Sequence, residues 1–370
     1  MTDLLGQQLL QATSELVAVP SVSHQEQALA DLVEDRLRAV GGLEVVRLGD
    51  NVVARTRQGR PTRLVVAGHL DTVPPAGNGY PRQQGDILWG LGSADMKGGL
   101  AVMLRLAAHL PEPSCDVTYA FYAGEEVERA HNGLLRIDRD SPDLLKGDAA
   151  ILGEPTGARV EAGCQGVLKL DVTIGGRRAH TARPWMGANA IHRLAPILGA
   201  VARYRPRRPV LADCRYEEAL QAVAVAGGVA ANVVPDQARL HLNHRFAPDR
   251  DAAAAEAAVR ALIEPLLDAA SGDRLEVVDS APAAPPGLEH PLLGRLREAS
   301  GQPPRAKLGW TDVAFFAERG IPAVNFGPGD PEVAHTADER VEASQLAAAY
   351  RALHLVLGGS PGPGVAAVMP

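Results

Sequence analysis

Leu64-Val65-Val66-Ala67-Gly68-His69-Leu70-Asp71 is the stretch whose reading decides the fold. A short, continuous apolar run ends in glycine, and side chains able to take a proton or a metal ion follow at once. The pattern recurs. Val117-Thr118-Tyr119-Ala120-Phe121-Tyr122-Ala123 leads to Gly124-Glu125-Glu126, and Ala149-Ala150-Ile151-Leu152 leads to Gly153-Glu154. Ile321-Pro322-Ala323-Val324-Asn325-Phe326 leads to Gly327-Pro328-Gly329 and then His335. Runs without polar alternation read as strands buried on both faces, the habit of parallel sheets. In open α/β sheets ligands gather beyond the carboxyl ends of the strands. Four strand ends are therefore expected to bring histidines and carboxylates to one rim, with glycine allowing the backbone to turn or approach closely.

Between the first two runs lies Trp89-Gly90-Leu91-Gly92-Ser93-Ala94-Asp95-Met96-Lys97-Gly98-Gly99, followed by Leu100, Met103, Leu104, Ala107 and Leu110 at helical spacing. Asp95 thus falls in a loop ahead of a helix N-terminus, where a carboxylate is favoured. Upstream, Leu4, Leu5, Leu9 and Leu10 read as helical. Ser23-His24-Gln25-Glu26 reads as a capping box before Leu29, Leu32, Val33, Leu37 and Val40. From about residue 166 the period becomes two. Leu168, Leu170, Val172 and Ile174 alternate with polar residues, and Ala238, Leu240, Leu242, His244 and Phe246 set Arg239, His241, Asn243 and Arg245 on the opposite face. Helical stretches are expected near 188–203 and 251–270, and Ala281-Pro282-Ala283-Ala284-Pro285-Pro286 reads as a linker. The expectation is an α/β chain. A discontinuous catalytic domain, residues 1–165 and 285–370, has a mostly parallel central sheet flanked by helices and is interrupted by a smaller α+β domain over 166–284.

Composition narrows the function classes. The 370 residues are 46% hydrophobic and 22% charged, as in ordinary globular proteins, with a net charge of −7 that gives no footprint for nucleic acid. Three cysteines without a Cys-x-x-Cys pair argue against a disulfide framework or a thiolate metal site. The first basic residue is Arg36, so the charged n-region of a signal peptide is missing, and no apolar run of about 18 residues offers a membrane span. A cytoplasmic protein is expected, with neither nucleic acid nor membrane as partner.

The rim candidates are His69, Asp71, Asp95, Glu125, Glu126, Glu154 and His335. Singly, each has a structural explanation, such as a hydrogen-bonded histidine or a solvated glutamate. Together, imidazoles and carboxylates without thiolate suit Zn2+, with Co2+ or Mn2+ tolerated. One zinc does not need so many donors, whereas two sharing a bridging carboxylate do. Asp71, two residues past His69, is placed to accept the second imidazole N–H and fix its tautomer.

These residues resemble the M20-type metallopeptidases, in the branch that holds the succinyl-diaminopimelate desuccinylases. The matching strings are Gly68-His69-Leu70-Asp71-Thr72-Val73-Pro74, Gly90 to Gly99, Gly124-Glu125-Glu126, Gly153-Glu154-Pro155-Thr156, Gly187-Ala188-Asn189-Ala190 and His335-Thr336-Ala337-Asp338-Glu339. The resemblance implies a zinc-peptidase-like catalytic domain, with the insert as a lid and dimerisation domain of a homodimer. It implies two zinc ions per subunit, one on His69, Asp95 and Glu154, the other on Asp95, Glu126 and His335. Glu125 resembles the general base, Asp71 the residue orienting His69, and the bond after Asp95 is usually cis. In the insert, His180 resembles a histidine that reaches the neighbouring subunit's site to stabilise the oxyanion. Asn232 and Arg245 resemble residues that hold the substrate's carboxyl end, for which the planar guanidinium fork is suited.

The resemblance has one gap. Where the Gram-negative form carries an arginine-rich turn for the succinyl group, this chain reads Gly163-Cys164-Gln165-Gly166. It follows the form from high-GC Gram-positive bacteria, including Gly309-Trp310-Thr311-Asp312-Val313 and Phe326-Gly327-Pro328-Gly329-Asp330-Pro331. Arg183, or Gly327 and Gly329 of the latter loop, are the candidates to hold the succinyl group. The activity implied is hydrolysis of N-succinyl-L,L-2,6-diaminopimelate, a small N-acyl amino acid, by a hydroxide activated between two zinc ions. The alternatives are another N-acyl-amino-acid hydrolase of the family, acetylornithine deacetylase-like, a dipeptidase, or a metal-free scaffold of the same fold.

Overall fold

The computed structural model of the protein describes residues 3–358. They divide into two compact units, one of residues 3–162, 286–305 and 315–358, the other of residues 163–285 and 306–314.

The first unit is built on an eight-stranded sheet. Its centre is four neighbouring strands in the order Asp116–Tyr122, Arg63–His69, Ala149–Leu152 and Ala323–Asn325, all mutually parallel. These are the four runs singled out by their unbroken apolar character. Leu64, Val65, Val66 and Ala67, and likewise Ala149 to Leu152, are fully buried. Toward one edge the sheet continues antiparallel through Asn51–Arg55 and Glu44–Leu48. On the other side Glu161–Ala162 pairs antiparallel with Ala323–Asn325, and Arg305–Ala306 forms the far edge. The helices Leu4–Val17, Gly98–His109 and Ala343–Val356 pack on one another, with Gln27–Arg38 against the second of them.

The glycines that close the central runs have two separate causes. A Cβ on Gly68 would lie 2.5 Å from the Met96 methyl, and one on Gly153 would lie 2.8 Å from the same atom. Those two glycines therefore admit Met96 beneath the rim. Gly124 instead takes φ +70, the left-handed turn that glycine adopts without steric cost.

The capping-box reading does not hold. The second helix begins at Gln27 after Glu26, which caps it with no side-chain hydrogen bond. Ser23 is turned elsewhere, as described below. No helix among the described residues is long and apolar enough to cross a membrane.

The second unit is a four-stranded antiparallel sheet in the order Ala219–Gly227, Gln237–Phe246, Gly166–Gly175, Arg274–Ala281. The alternating apolar residues Leu168, Leu170, Val172, Leu240 and Leu242 meet Ile197 and Val259 from the helices Ala195–Ala202 and Ala252–Ile263 in one core. Residues 306–314, read as part of the first domain, group with this unit, because Gln165 N–H bonds the Lys307 carbonyl and Trp310 Nε1–H bonds the Pro282 carbonyl. The two ends of residues 163–285 are joined by an antiparallel bridge between Cys164 and Ala284, the latter inside the Pro-rich segment.

A buried carboxylate organises one end of this unit. Glu218, fully buried, accepts hydrogen bonds from Arg207 at 3.0 Å, Arg250 at 2.7 Å, the Tyr204 hydroxyl at 3.2 Å and Ala247 N–H at 3.1 Å. Arg250 in turn donates to His244 Nε2 at 3.0 Å, because His244 Nδ1 is committed to the Ala219 carbonyl. Glu218→Ala would leave the largely covered Arg250 without its counter-charge, and should cost about 3–5 kcal/mol of unfolding free energy in a urea titration. A loss under about 1 kcal/mol would show that the network contributes little.

Candidate metal centre

The four central strands end on one side of the sheet, so their carboxyl ends carry His69, the Glu125–Glu126 pair, Glu154 and the loop to His335. Asp95 reaches them from the tight turn Ser93–Lys97, where its backbone is extended (φ −119, ψ 93) and its peptide bond to Met96 is cis, as the resemblance implied. His69 Nε2 lies 3.1 Å from Asp95 Oδ1, while His335 Nε2 lies 3.5 Å from Asp95 Oδ2 and 2.8 Å from Glu126 Oε1. Ligand atoms of His69, Asp95 and Glu126 all fall within 4.8 Å of one another.

The hydrogen-bond chemistry calls for a positive charge here, met by a proton in the metal-free site and able to be met by a metal ion instead. His69 Nδ1–H donates to the Asp71 carbonyl at 3.0 Å, which leaves Nε2 of the neutral ring as a lone pair facing a carboxylate oxygen. Two acceptors face each other comfortably only with a positive charge between them. The electrostatics agree. Burial opposes protonation of His69, yet the adjacent Asp71 and Asp95 carboxylates, helped by the charge of Glu154, raise its pKa well above the ordinary value. Asp95 and Glu126 push His335 up to about 10. Nitrogen and oxygen donors without sulfur fit a divalent ion of the zinc, cobalt or manganese type.

Asp71 does something other than expected. Its carboxylate stands 3.6 Å from the imidazole, and it is its own carbonyl that accepts the ring N–H. The carboxylate instead accepts Glu125 N–H on Oδ1 and Glu126 N–H on Oδ2, each at 3.0 Å, and the Ser23 hydroxyl on Oδ2 at 2.8 Å. Burial works against its charge, but the His69 ring and the two N–H donors hold the carboxyl down at about 2. Ser23 is the residue that sequence reasoning missed. Its Ser-x-x-Glu spacing suggested a local partner, while its actual partner is 48 residues away.

The other predicted residues separate by unit. Glu154 lies buried just past Ala149–Leu152. Gly327 is consumed by packing: its N–H bonds Thr156 Oγ1, its carbonyl takes Ala158 N–H, and a Cβ there would meet the Gly153 carbonyl at 2.3 Å. Gly329, at φ +87, abuts Ala94 in the same way. His180, Arg183, Asn232 and Arg245 belong to the second unit. There Thr181 N–H bonds the Asn232 carbonyl at 3.0 Å, so His180 and Asn232 sit on adjoining strands of backbone. His180 Nδ1 accepts Ala182 N–H, which puts the proton of the neutral ring on Nε2 as an available donor. Arg183 is exposed beside them. Arg245, half-buried, lines a cavity of about 760 Å³ with Gln165, Tyr204, Glu218 and Leu308. The Gly163-Cys164-Gln165-Gly166 turn is structural, since a Cβ on Gly163 would strike the Ala284 carbonyl and one on Gly166 the Phe246 ring.

Residues 65–358 match the description of peptidase family M20/M25/M40. The chain belongs to the M20 family. A succinyl-diaminopimelate desuccinylase of Corynebacterium glutamicum is 45% identical over 351 residues, 93% of this chain and 94% of that protein. A Mycobacterium tuberculosis relative named for the same activity is 50% identical over 360 residues, 97% of this chain and all of its own length. Among solved structures, the aminopeptidase PepT of Bacillus cereus superposes with a TM-score of 0.77 at 21% identity, over 95% of this chain and 98% of that one. The Bacillus subtilis protein YXEP, described as a dinuclear metal-binding M20 peptidase, gives 0.68 at 17%, over 95% and 97%. These likenesses establish the M20 fold.

Proposed function

We propose that this M20 protein hydrolyses the amide bond of N-succinyl-L,L-2,6-diaminopimelate, releasing succinate and L,L-2,6-diaminopimelate, with two zinc ions on its rim and cobalt or manganese as substitutes. The substrate follows the names of relatives at 45–50% identity over nearly the whole chain. The observation that carries the two-ion reading is Asp95, one oxygen turned to His69 and the other to His335. His69 and Glu154 would complete the first site, and Glu126 and His335 the second, with Asp95 shared. Such ions, when bound, make a water acidic and polarise the scissile carbonyl.

The chain's own residues do the rest. Glu125 takes a proton from the attacking water and delivers it to the departing amine, so that its carboxylate is regenerated each turnover. Asp71, holding the Glu125 and Glu126 N–H groups, keeps base and ligand in register. To the second unit we assign an oxyanion donor, His180, and binders of the substrate's carboxyl end, Asn232 and Arg245, with Arg183 for the succinyl carboxylate. The three cysteines are buried thiols, in keeping with a reducing cytoplasm.

The strand Ala219–Gly227 supports a homodimer. It is an edge of its sheet, and Val223 and Val225 on it are 63% and 52% exposed. Exposed apolar edges invite pairing with a second copy.

Comparing kcat/KM for succinyl-diaminopimelate and for N-acetylornithine tests the substrate. A site built to bind a second carboxylate should prefer the former by at least about a hundredfold. Equal rates, or preference for acetylornithine, would overturn the assignment.

A further inference from the structure

The turn that carries Asp95 is held from inside by a residue with no role so far. Glu339 is 1% exposed, and its two carboxylate oxygens are spent on one short piece of backbone. Oε2 accepts Gly92 N–H at 2.9 Å, and Oε1 accepts Ala94 N–H at 3.1 Å and Asp95 N–H at 3.0 Å. Its main-chain carbonyl accepts Gly90 N–H at 3.1 Å. Residues 92–95 thus wrap a single carboxylate, and Asp95 is the last group hung on it. The curl needs Gly92 at φ +77, where a Cβ would also lie 2.7 Å from the Thr72 methyl. Lys97, buried beyond the turn, donates to the Val19 carbonyl at 2.8 Å and supplies the opposite charge within Coulombic reach of Glu339.

The position of Glu339 in the chain matters as much as its bonds. It follows His335 by four residues, in the segment that runs into the strand Arg340–Glu342, which pairs with Ile87–Trp89 just ahead of the turn. One carboxylate therefore ties the backbone of Asp95 to the backbone that delivers His335. A glycine-rich turn left to itself would spread the Asp95 side chain over many orientations. Outer contacts of this kind decide how well a ligand is aimed.

We propose that Glu339 is a positioning residue that presets Asp95, so that one oxygen faces His69 and the other His335. It acts through the backbone that carries Asp95 and is not itself one of the proposed ligands. The proposal rests on the reading of Asp95 as the shared ligand.

Glu339→Gln tests it with little change of shape. The amide keeps one acceptor and places two donors against either Gly92 N–H or the Ala94 and Asp95 pair, so the three bonds cannot all survive. Zinc affinity, measured by competition with a chromophoric chelator, should fall about 10–100-fold, the usual scale for losing an outer contact to a ligand. The visible absorption of the cobalt-loaded protein should change, and kcat should fall with KM within about twofold. The metal-free variant should melt a few degrees lower because of its unmet buried donors, while the rise in Tm on adding zinc should shrink, because that increment follows metal affinity. Should Glu339→Gln fail to fold, Glu339→Asp keeps the charge with a shorter reach, and the same readouts apply. Wild-type zinc affinity and cobalt spectrum in a folded variant would overturn the proposal. Absence of zinc binding by the unmodified protein would instead overturn the metal reading beneath it.

Discussion

Glu125→Gln should lower kcat by about 10³-fold, within the 10²–10⁴ range for loss of a general base, while KM and metal content stay at wild-type values. The position of residue 125 is fixed through its backbone N–H on Asp71, so an isosteric amide keeps its place and loses only the capacity to accept a proton. An effect confined to kcat is the signature of an interaction made in the transition state. Retention of more than about a tenth of the wild-type kcat would remove Glu125 from the role of base. Metal analysis of the same variant separates this from damage to the adjoining ligand Glu126.

Stripping the metal should abolish turnover, a loss of at least about 10³-fold, and zinc should restore it, since Lewis-acid assistance is worth several kcal/mol in the transition state. The pH dependence follows from the site's charge. Asp95 and Glu126 raise His335 to about 10, so near neutrality the metal-free site holds a proton that an incoming ion must displace. Apparent zinc affinity should therefore climb at least about tenfold for each pH unit between 6 and 8 and decline as pH falls. Affinity flat across that window, or full activity after exhaustive chelation, would contradict the assignment.

Much of this site is legible in the sequence, for a physical reason. Strands covered on both faces must be apolar throughout, so an abrupt change to glycine and then histidine or glutamate marks where the sheet meets its rim. Leu64–His69 and Ala149–Glu154 carry that signal openly. The two-residue alternation of Leu168–Ile174 marked the one-sided sheet equally well. What stayed hidden depends on contacts between distant segments. Ser23 matched a local capping pattern, yet its hydroxyl bonds Asp71. Asp71 itself was expected to serve the imidazole with its carboxylate, a job its main-chain carbonyl does instead. Residues 306–314 hold no composition shift to betray their return to the second unit.

Asp71 has a consequence for anyone who would retune this catalyst. A single carboxylate holds the backbone N–H groups of both 125 and 126, so the base and the ligand proposed there cannot be adjusted separately. A substitution at 23 or 71 meant to change basicity will also change cation retention, and selection for faster hydrolysis at one pH will drag the other property with it.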